Sequence, residues 1–130
     1  MVEQRCGGYN GAEMGTFSVP VEIGDHQGQR YERIEALVDT GSTLTVAPAS
    51  LLRRLGVSPR LRGPFRLADR RRVEMDVGQT WIRVDGQELI TLIVFGPEDQ
   101  YILGAYALEG LRLAADPVGR RLVPVDWLLM

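Results

Sequence analysis

Lysine is missing from this chain: all 15 basic residues are arginines. Biased genomic base composition is the plain reading of that, and no function is drawn from it. Cysteine and histidine are nearly as scarce, with one each, Cys6 and His26. A lone cysteine cannot close an internal disulfide, and one Cys with one His makes no zinc-type ligand set. No metal and no cofactor is therefore expected. His26 lies in a polar turn segment and reads as an exposed turn residue rather than a ligand or base. No apolar run approaches the ~18 residues of a membrane span. The segment from Met1 to Arg5 has no apolar stretch of the kind a secretory signal carries. A soluble, cytoplasmic protein with no membrane partner is the expectation. An excess of one charge is lacking too. Seventeen acidic residues against 15 basic give a net charge of −2, which supplies no general drive toward nucleic acid. The one dense basic run, Arg70-Arg71-Arg72, has no interleaved aromatics and reads as a solvated loop tip.

What is present suits an ordinary folded domain. The chain has 130 residues, 45% hydrophobic and 25% charged, the usual mix for a globular protein. Such a domain buries roughly two-thirds of the surface its unfolded chain exposes. It is too short for two large domains with a cleft between them, so a deep two-sided cleft would need a second copy. Residues 1–15 are Gly-rich and polar and read as a loose N-terminal segment. Residues 16–125 read as the domain, and 126–130 as an apolar tail suited to docking on the domain or on a partner subunit.

Along the domain, Phe17, Val19, Val21 and Ile23 alternate with polar residues or proline, the period of a half-buried strand. Pro20 places that strand at an edge or beside an irregularity. A turn, Gly24 to Gln29, leads into a second strand from Tyr31 with Ile34, Ala36 and Val38 on one face. Pro48 to Leu55 reads as a short helix stopped by Gly56. Arg62-Gly63-Pro64 reads as a break. Two strands, Phe65 to Leu67 and Val73 to Val77, flank the tip Ala68 to Arg72. After Gly78 another strand reaches Val84, Asp85-Gly86 is a hairpin signal, and Glu88 to Phe95 is β-rich. Ala105 to Leu111 offers one or two helical turns, and short strands run over Leu113–Asp116 and 121–125. Closely spaced turn signals with little helical pattern predict an all-β domain, a small closed barrel with one or two short helices. A faint internal echo accompanies this: an apolar strand ends at Gly41, another at Gly104, each with helix-forming sequence after it. Trp81 reads as packing. Asp25 and the pair Glu98-Asp99 read as solvated turn residues.

The segment Ala36-Leu37-Val38-Asp39-Thr40-Gly41-Ser42-Thr43 concentrates the chemistry. A carboxylate directly after three apolar residues sits at the end of a core strand, where desolvation is costly unless the group is hydrogen-bonded or protonated. Thr40 and Ser42 offer hydroxyls, and Gly41 permits a sharp turn. An ordinary Asx or Ser/Thr turn would use the same residues, and the four-residue motif alone does not decide between the two readings.

The order of the parts decides more. An apolar strand, Asp-Thr-Gly-Ser, a short helix, a β-hairpin about 25 residues on, then apolar-apolar-Gly resembles the retropepsin-like aspartic proteases, in particular bacterial single-domain members. The carrying segments are Leu37 to Ser42, Phe65-Arg66-Leu67-Ala68-Asp69, Val94-Phe95-Gly96, Ile102-Leu103-Gly104-Ala105 with Leu108-Glu109, and Asp116-Pro117 with Leu122-Val123-Pro124. The resemblance spans about Phe17 to Pro124. It implies an acid-protease barrel of the retropepsin type and an aspartic endopeptidase acting as a homodimer on peptide or protein substrate. Asp39 from each subunit would form the catalytic pair, sharing one proton because like charges so close cannot both ionise; the aspartic proteases are a standard instance of this coupling. Thr40 would reach across to the partner's backbone, and Gly41 would let the substrate main chain approach. Ser42 would donate to the outer carboxylate oxygen, favouring an acidic to mildly acidic optimum. The hairpin tip, Ala68, Asp69 and Arg70, would belong to a flap closing on extended substrate. Two features depart from retroviral relatives: the tip has no glycine, and Ala105-Tyr106 stand where an arginine is usual. Two rival readings stand beside this one. One is a catalytically silent peptide-binding module of the same fold; the other is a β-barrel interaction domain with a chance Asp-Thr-Gly.

Overall fold

The structure is a computed structural model and describes residues 16–129; the expected loose segment 1–15 lies outside the described residues. Among the described residues nine strands and two short helices follow in the order β1 (Ser18–Gly24), β2 (Tyr31–Val38), β3 (Thr45–Pro48), α1 (Ala49–Arg54), β4 (Leu61–Arg66), β5 (Arg72–Val84), β6 (Gln87–Gly96), β7 (Ile102–Leu103), α2 (Ala105–Gly110), β8 (Leu113–Asp116) and β9 (Arg121–Pro124). The chain is mostly β, as expected, with a helix at both predicted places.

Seven strands form one sheet in the order β1-β2-β7-β3-β6-β5-β4, and β1 also pairs with β5, so the sheet returns on itself as a ring. The alternation in β1 has its predicted effect: Val21 and Ile23 are buried inside while Ser18 and Pro20 face out. Pro20 is tolerated because β1 meets β5 only at Glu22 and Ile23, leaving the Pro20 stretch with β2 as its sole neighbour. The interior is filled from every side of the ring, by Ile23, Val38, Ile82, Ile93 and Leu103 from strands and by Leu52 and Leu108 from the helices. Each such fully buried aliphatic side chain contributes about 2 kcal/mol relative to exposure.

Three local expectations are corrected. Gly78 does not divide two strands: β5 runs unbroken for 13 residues. A Cβ there would lie 2.7 Å from the Ser58 carbonyl oxygen, so the glycine serves the close approach of the loop after α1, whose Arg60 N–H donates to the Val77 carbonyl. Arg62-Gly63-Pro64 is not a break but the middle of β4, an edge strand paired with β5 alone, where proline and glycine are admitted. Strand β3 was not foreseen. It is four residues long and pairs in parallel with β6, some 48 residues away in sequence, so no local pattern announces it; Pro48 ends it and caps α1 rather than opening the helix.

The pairing of β4 with β5 extends beyond the ring. Residues Arg72 to Asp76 pair only with β4, because β5 first meets β6 at Val77. A two-stranded hairpin therefore projects from the sheet. Strands β8 and β9 form a separate two-stranded sheet. The apolar tail docks in part: the Val125 N–H donates to the Arg112 carbonyl, and Trp127 Nε1 donates to the Glu109 carbonyl at 2.8 Å under the Arg112 guanidinium. Leu128 and Leu129 remain exposed.

Candidate active site

Strand β7 is inserted between β2 and β3, the two strands that the Asp39–Leu44 loop joins. It runs parallel to β2, with Leu37 opposite Ile102 and Val38 opposite Leu103, and antiparallel to β3. The loop must therefore pass over the end of β7, and the chain leaving β7 stitches it down. The Asp39 N–H donates to the Leu103 carbonyl at 3.1 Å, the Ala105 N–H to the Ser42 carbonyl at 2.8 Å, and the Tyr106 N–H to the Thr43 carbonyl at 2.9 Å. The Gly104 N–H donates to the buried Thr45 hydroxyl oxygen at 3.1 Å. A Cβ on Gly104 would lie 2.5 Å from the Leu44 carbonyl oxygen and 2.8 Å from that of Ser42. The glycine ending the second apolar strand is thus required by contact with the first loop. This is the physical content of the faint internal echo in the sequence.

Within the loop, Oδ1 of Asp39 accepts the Gly41 N–H at 2.9 Å, and the Ser42 N–H donates to the Asp39 carbonyl at 3.1 Å. The Asx-type turn is therefore present, and it does not use up the carboxylate. One oxygen holds the turn, and among the described residues the other has no hydrogen-bond donor. Asp39 is half-buried, whereas Thr40 and Gly41 are exposed at the rim. Ser42 differs from expectation: its hydroxyl donates to the Leu44 carbonyl at 2.8 Å, not to the carboxylate. It fixes the loop's exit toward β3, leaving Gly41 as the internal donor to Asp39.

Ala68, Asp69 and Arg70 lie apart from this loop, at the tip of the projecting hairpin, and share no hydrogen bond with it. The tip is a three-residue hairpin loop. The Arg70 N–H donates to the Leu67 carbonyl at 2.9 Å, the Leu67 N–H to the Arg71 carbonyl at 2.8 Å, and Arg70 takes the left-handed conformation at φ 73. Arg70 thus occupies the left-handed position where glycine is usual, and Asp69 fastens the tip through its side chain. Its carboxylate accepts the Arg71 N–H at 3.0 Å and the Arg71 Nε at 2.7 Å. The backbone bond first, and the guanidinium with it, hold Asp69 below the ordinary aspartate value.

Sequence reasoning missed Thr45, whose hydroxyl binds the β7–α2 junction; a threonine just beyond the turn, between apolar neighbours, was the available signal. It also misread Asp25 as solvated. Asp25 is only 8% exposed, with Oδ1 accepting the Gln29 N–H at 2.8 Å, and that bond lowers its pKa. Its carboxylate closes the β1–β2 turn. The whole of β2 separates it from the Asp39 loop, roughly 25 Å at ~3.3 Å per residue. His26 is exposed, as expected. Among the described residues, no group of three or more His, Cys, Asp or Glu side chains is placed to hold a metal ion.

Comparison with known proteins agrees with this arrangement. The family described as "Aspartyl protease" matches residues 19–107, from β1 into α2, which includes both the Asp39 loop and the projecting hairpin. A search of the curated proteins returned no match. Among solved structures, the solution structure of Simian Foamy Virus (mac) protease is similar in fold, with a TM-score of 0.52 and 20% identity, over 70% of this chain and 90% of that one.

Proposed function

Since this chain belongs to the aspartyl protease family and is by class an aspartic peptidase, we propose that its active form is a homodimer in which two Asp39 carboxylates meet at the two-fold axis and hydrolyse peptide bonds. The observation that carries the reading is the Asp39 loop itself. Each chain offers one carboxylate on a rigidly stitched loop, with one oxygen held by the Gly41 N–H and the other open. A pair is needed to supply both an acid and a base, and a chain with one such loop supplies half.

The ionised carboxylate of the pair takes a proton from a bound water, whose oxygen attacks the peptide carbonyl carbon. The protonated carboxylate gives its proton to the carbonyl oxygen. Collapse of the tetrahedral intermediate breaks the C–N bond: the leaving nitrogen takes up the proton first drawn from water, and one hydroxyl of the intermediate returns its proton to the second carboxylate, which leaves a carboxylic acid product and a singly protonated pair. In this reading Thr40, which is exposed beside Asp39, bonds the partner's loop, and Gly41 leaves room for the substrate backbone. The projecting β4–β5 hairpin is the flap, with its half-buried Phe65, Val73 and Met75 on one face and an edge strand free to pair with extended substrate. In solution, Asp39→Asn should abolish cleavage of an unstructured protein while the sedimentation coefficient of the dimer is unchanged. Undiminished cleavage by that variant would exclude Asp39 as the catalytic group.

A further inference from the structure

Register sets Arg66 directly opposite Arg72 where the hairpin narrows to its tip, and both are exposed. Arg70 lies between them in the chain, in a left-handed conformation. Of the arginines around the tip, Arg71 alone has a carboxylate, that of Asp69. Lower on the hairpin, Arg62 is paired with Asp76 at 3.0 Å. Among the described residues, Arg66, Arg70 and Arg72 have no ion pair and no hydrogen bond through their guanidinium groups. Like charges directly opposite on paired strands are destabilising, and a non-glycine residue in the left-handed region adds strain. A hairpin selected only for stability would not set two unpaired guanidinium groups opposite one another; the left-handed conformation of Arg70 is shared by Asp85, Asp99, Arg112 and Arg120 elsewhere in the chain and marks nothing by itself. From residue 60 to 76 there are six arginines against three carboxylates, in a chain whose net charge is −2.

We propose that the hairpin tip is a carboxylate receptor that selects peptide substrates bearing Asp or Glu close to the bond to be cut. This rests on the reading of the hairpin as the flap of a homodimeric peptidase. A guanidinium presents a planar fork of donors that matches a carboxylate, and three lie around one hairpin tip, on the last residue of β4, in the loop and on the first residue of β5. In the dimer, two such tips repel one another as they close, and acidic side chains of bound substrate remove that repulsion. Closure is thereby coupled to substrate charge. A peptide fits better than a nucleic acid: the tip residues Ala68 to Arg72 include no aromatic ring on which a base can stack, and the net negative charge of the chain opposes a long polyanion.

The test is binding by fluorescence anisotropy to the Asp39→Asn protein, which reads the receptor without turnover. Two peptides are compared that differ only in carrying Glu or Gln on both sides of a central apolar pair. The Glu peptide is expected to bind about tenfold more tightly at about 50 mM salt, with much of the advantage lost at about 300 mM as screening sets in. Adding Arg66→Gln, Arg70→Gln and Arg72→Gln together should erase the preference without lowering the melting temperature, since that change relieves repulsion. Adding Arg120→Gln with Arg121→Gln, remote in sequence from the hairpin, should leave it intact. Equal binding of the two peptides, a preference that survives the triple change, or tighter binding of a single-stranded RNA of equal charge would overturn the proposal. Wild-type protein that cleaves both peptides equally overturns the receptor and leaves the peptidase reading standing. Wild-type protein that cleaves neither, with the binding preference intact, overturns the peptidase reading and with it the role in substrate selection, and leaves only a hairpin that binds acidic peptide.

Discussion

Strand β2 carries an aspartate at each approach to its ends, and the two differ in what their oxygens are asked to do. Asp25, before the strand, is buried and turned onto the N–H of Gln29. Asp39, after it, is half-buried, gives one oxygen to the Gly41 N–H, and sits on a loop whose neighbours Thr40 and Gly41 face outward. Both are turn aspartates by local chemistry. What separates them is the support beneath. The Asp25 turn is held by its own backbone, through Asp25 N–H to Arg30 and Gly28 N–H to Asp25. The Asp39 loop is held from outside, by β7 and the start of α2, and so its carboxylate is not required to hold it alone. On the proposed function, rigidity supplied from another part of the chain is what frees a carboxylate for chemistry.

That contrast is broken most severely at the carboxylates. Asp39→Asn should lower peptide cleavage by about 10³-fold or more with little change in melting temperature, whereas Asp25→Asn should leave the cleavage rate within about twofold; assays of both variants on one peptide substrate decide it. An equal loss of cleavage in the two would erase the distinction. Next in size is the support itself. Gly104→Ala drives a methyl group against the Leu44 and Ser42 carbonyls and should cost about 1–3 kcal/mol of stability, with a loss of activity at temperatures where the protein is still folded, read by thermal melts beside rate measurements. Retained activity would show that β7 does not position the loop.

A polar group that supports nothing supplies the opposite case. The Thr91 hydroxyl is buried without a partner, so Thr91→Val should raise stability by about 1 kcal/mol, a few degrees in melting temperature, with activity untouched. The smallest effect concerns acid. Asp25, Asp69 and Asp116 are all held below the ordinary aspartate value of 3.8, first by backbone N–H bonds from Gln29, Arg71 and Gly119 respectively. A depressed native value means that the unfolded chain takes up protons first. The stabilisation from these groups is therefore complete above about pH 4 and declines as pH falls below 3.8 toward their native values. Asp25→Asn should flatten the fall of melting temperature between about pH 4 and about pH 2; an unchanged acid slope would show that the turn bond contributes nothing.

The sequence was legible where one short segment dictates one structure. Alternation gave β1 and β2, Asp85-Gly86 gave the β5–β6 turn, and the two apolar strands ending in Gly41 and Gly104 marked the pieces that meet at the site. It was opaque where structure depends on a remote partner. β3 forms because β6 and β7 accept it. Gly78 sits within an unbroken strand because a loop from elsewhere lies against it. The Ser42 hydroxyl turns to the Leu44 carbonyl, at the loop's exit toward β3, rather than to the open oxygen of Asp39. The glycine-free hairpin tip was visible as a departure. That Asp69 and a left-handed Arg70 build the turn instead is a matter of backbone geometry that the residue letters do not carry.

Subunit mixing tests the pairing of the two carboxylates most directly. Wild-type and Asp39→Asn chains are unfolded together, refolded at fixed total concentration and assayed on one peptide. If a working site needs Asp39 from both subunits, an equal mixture retains about one quarter of the wild-type rate, because only dimers of two wild-type chains act. Retention of about one half would mean that each chain cleaves with its own carboxylate, and the shared site would be refuted.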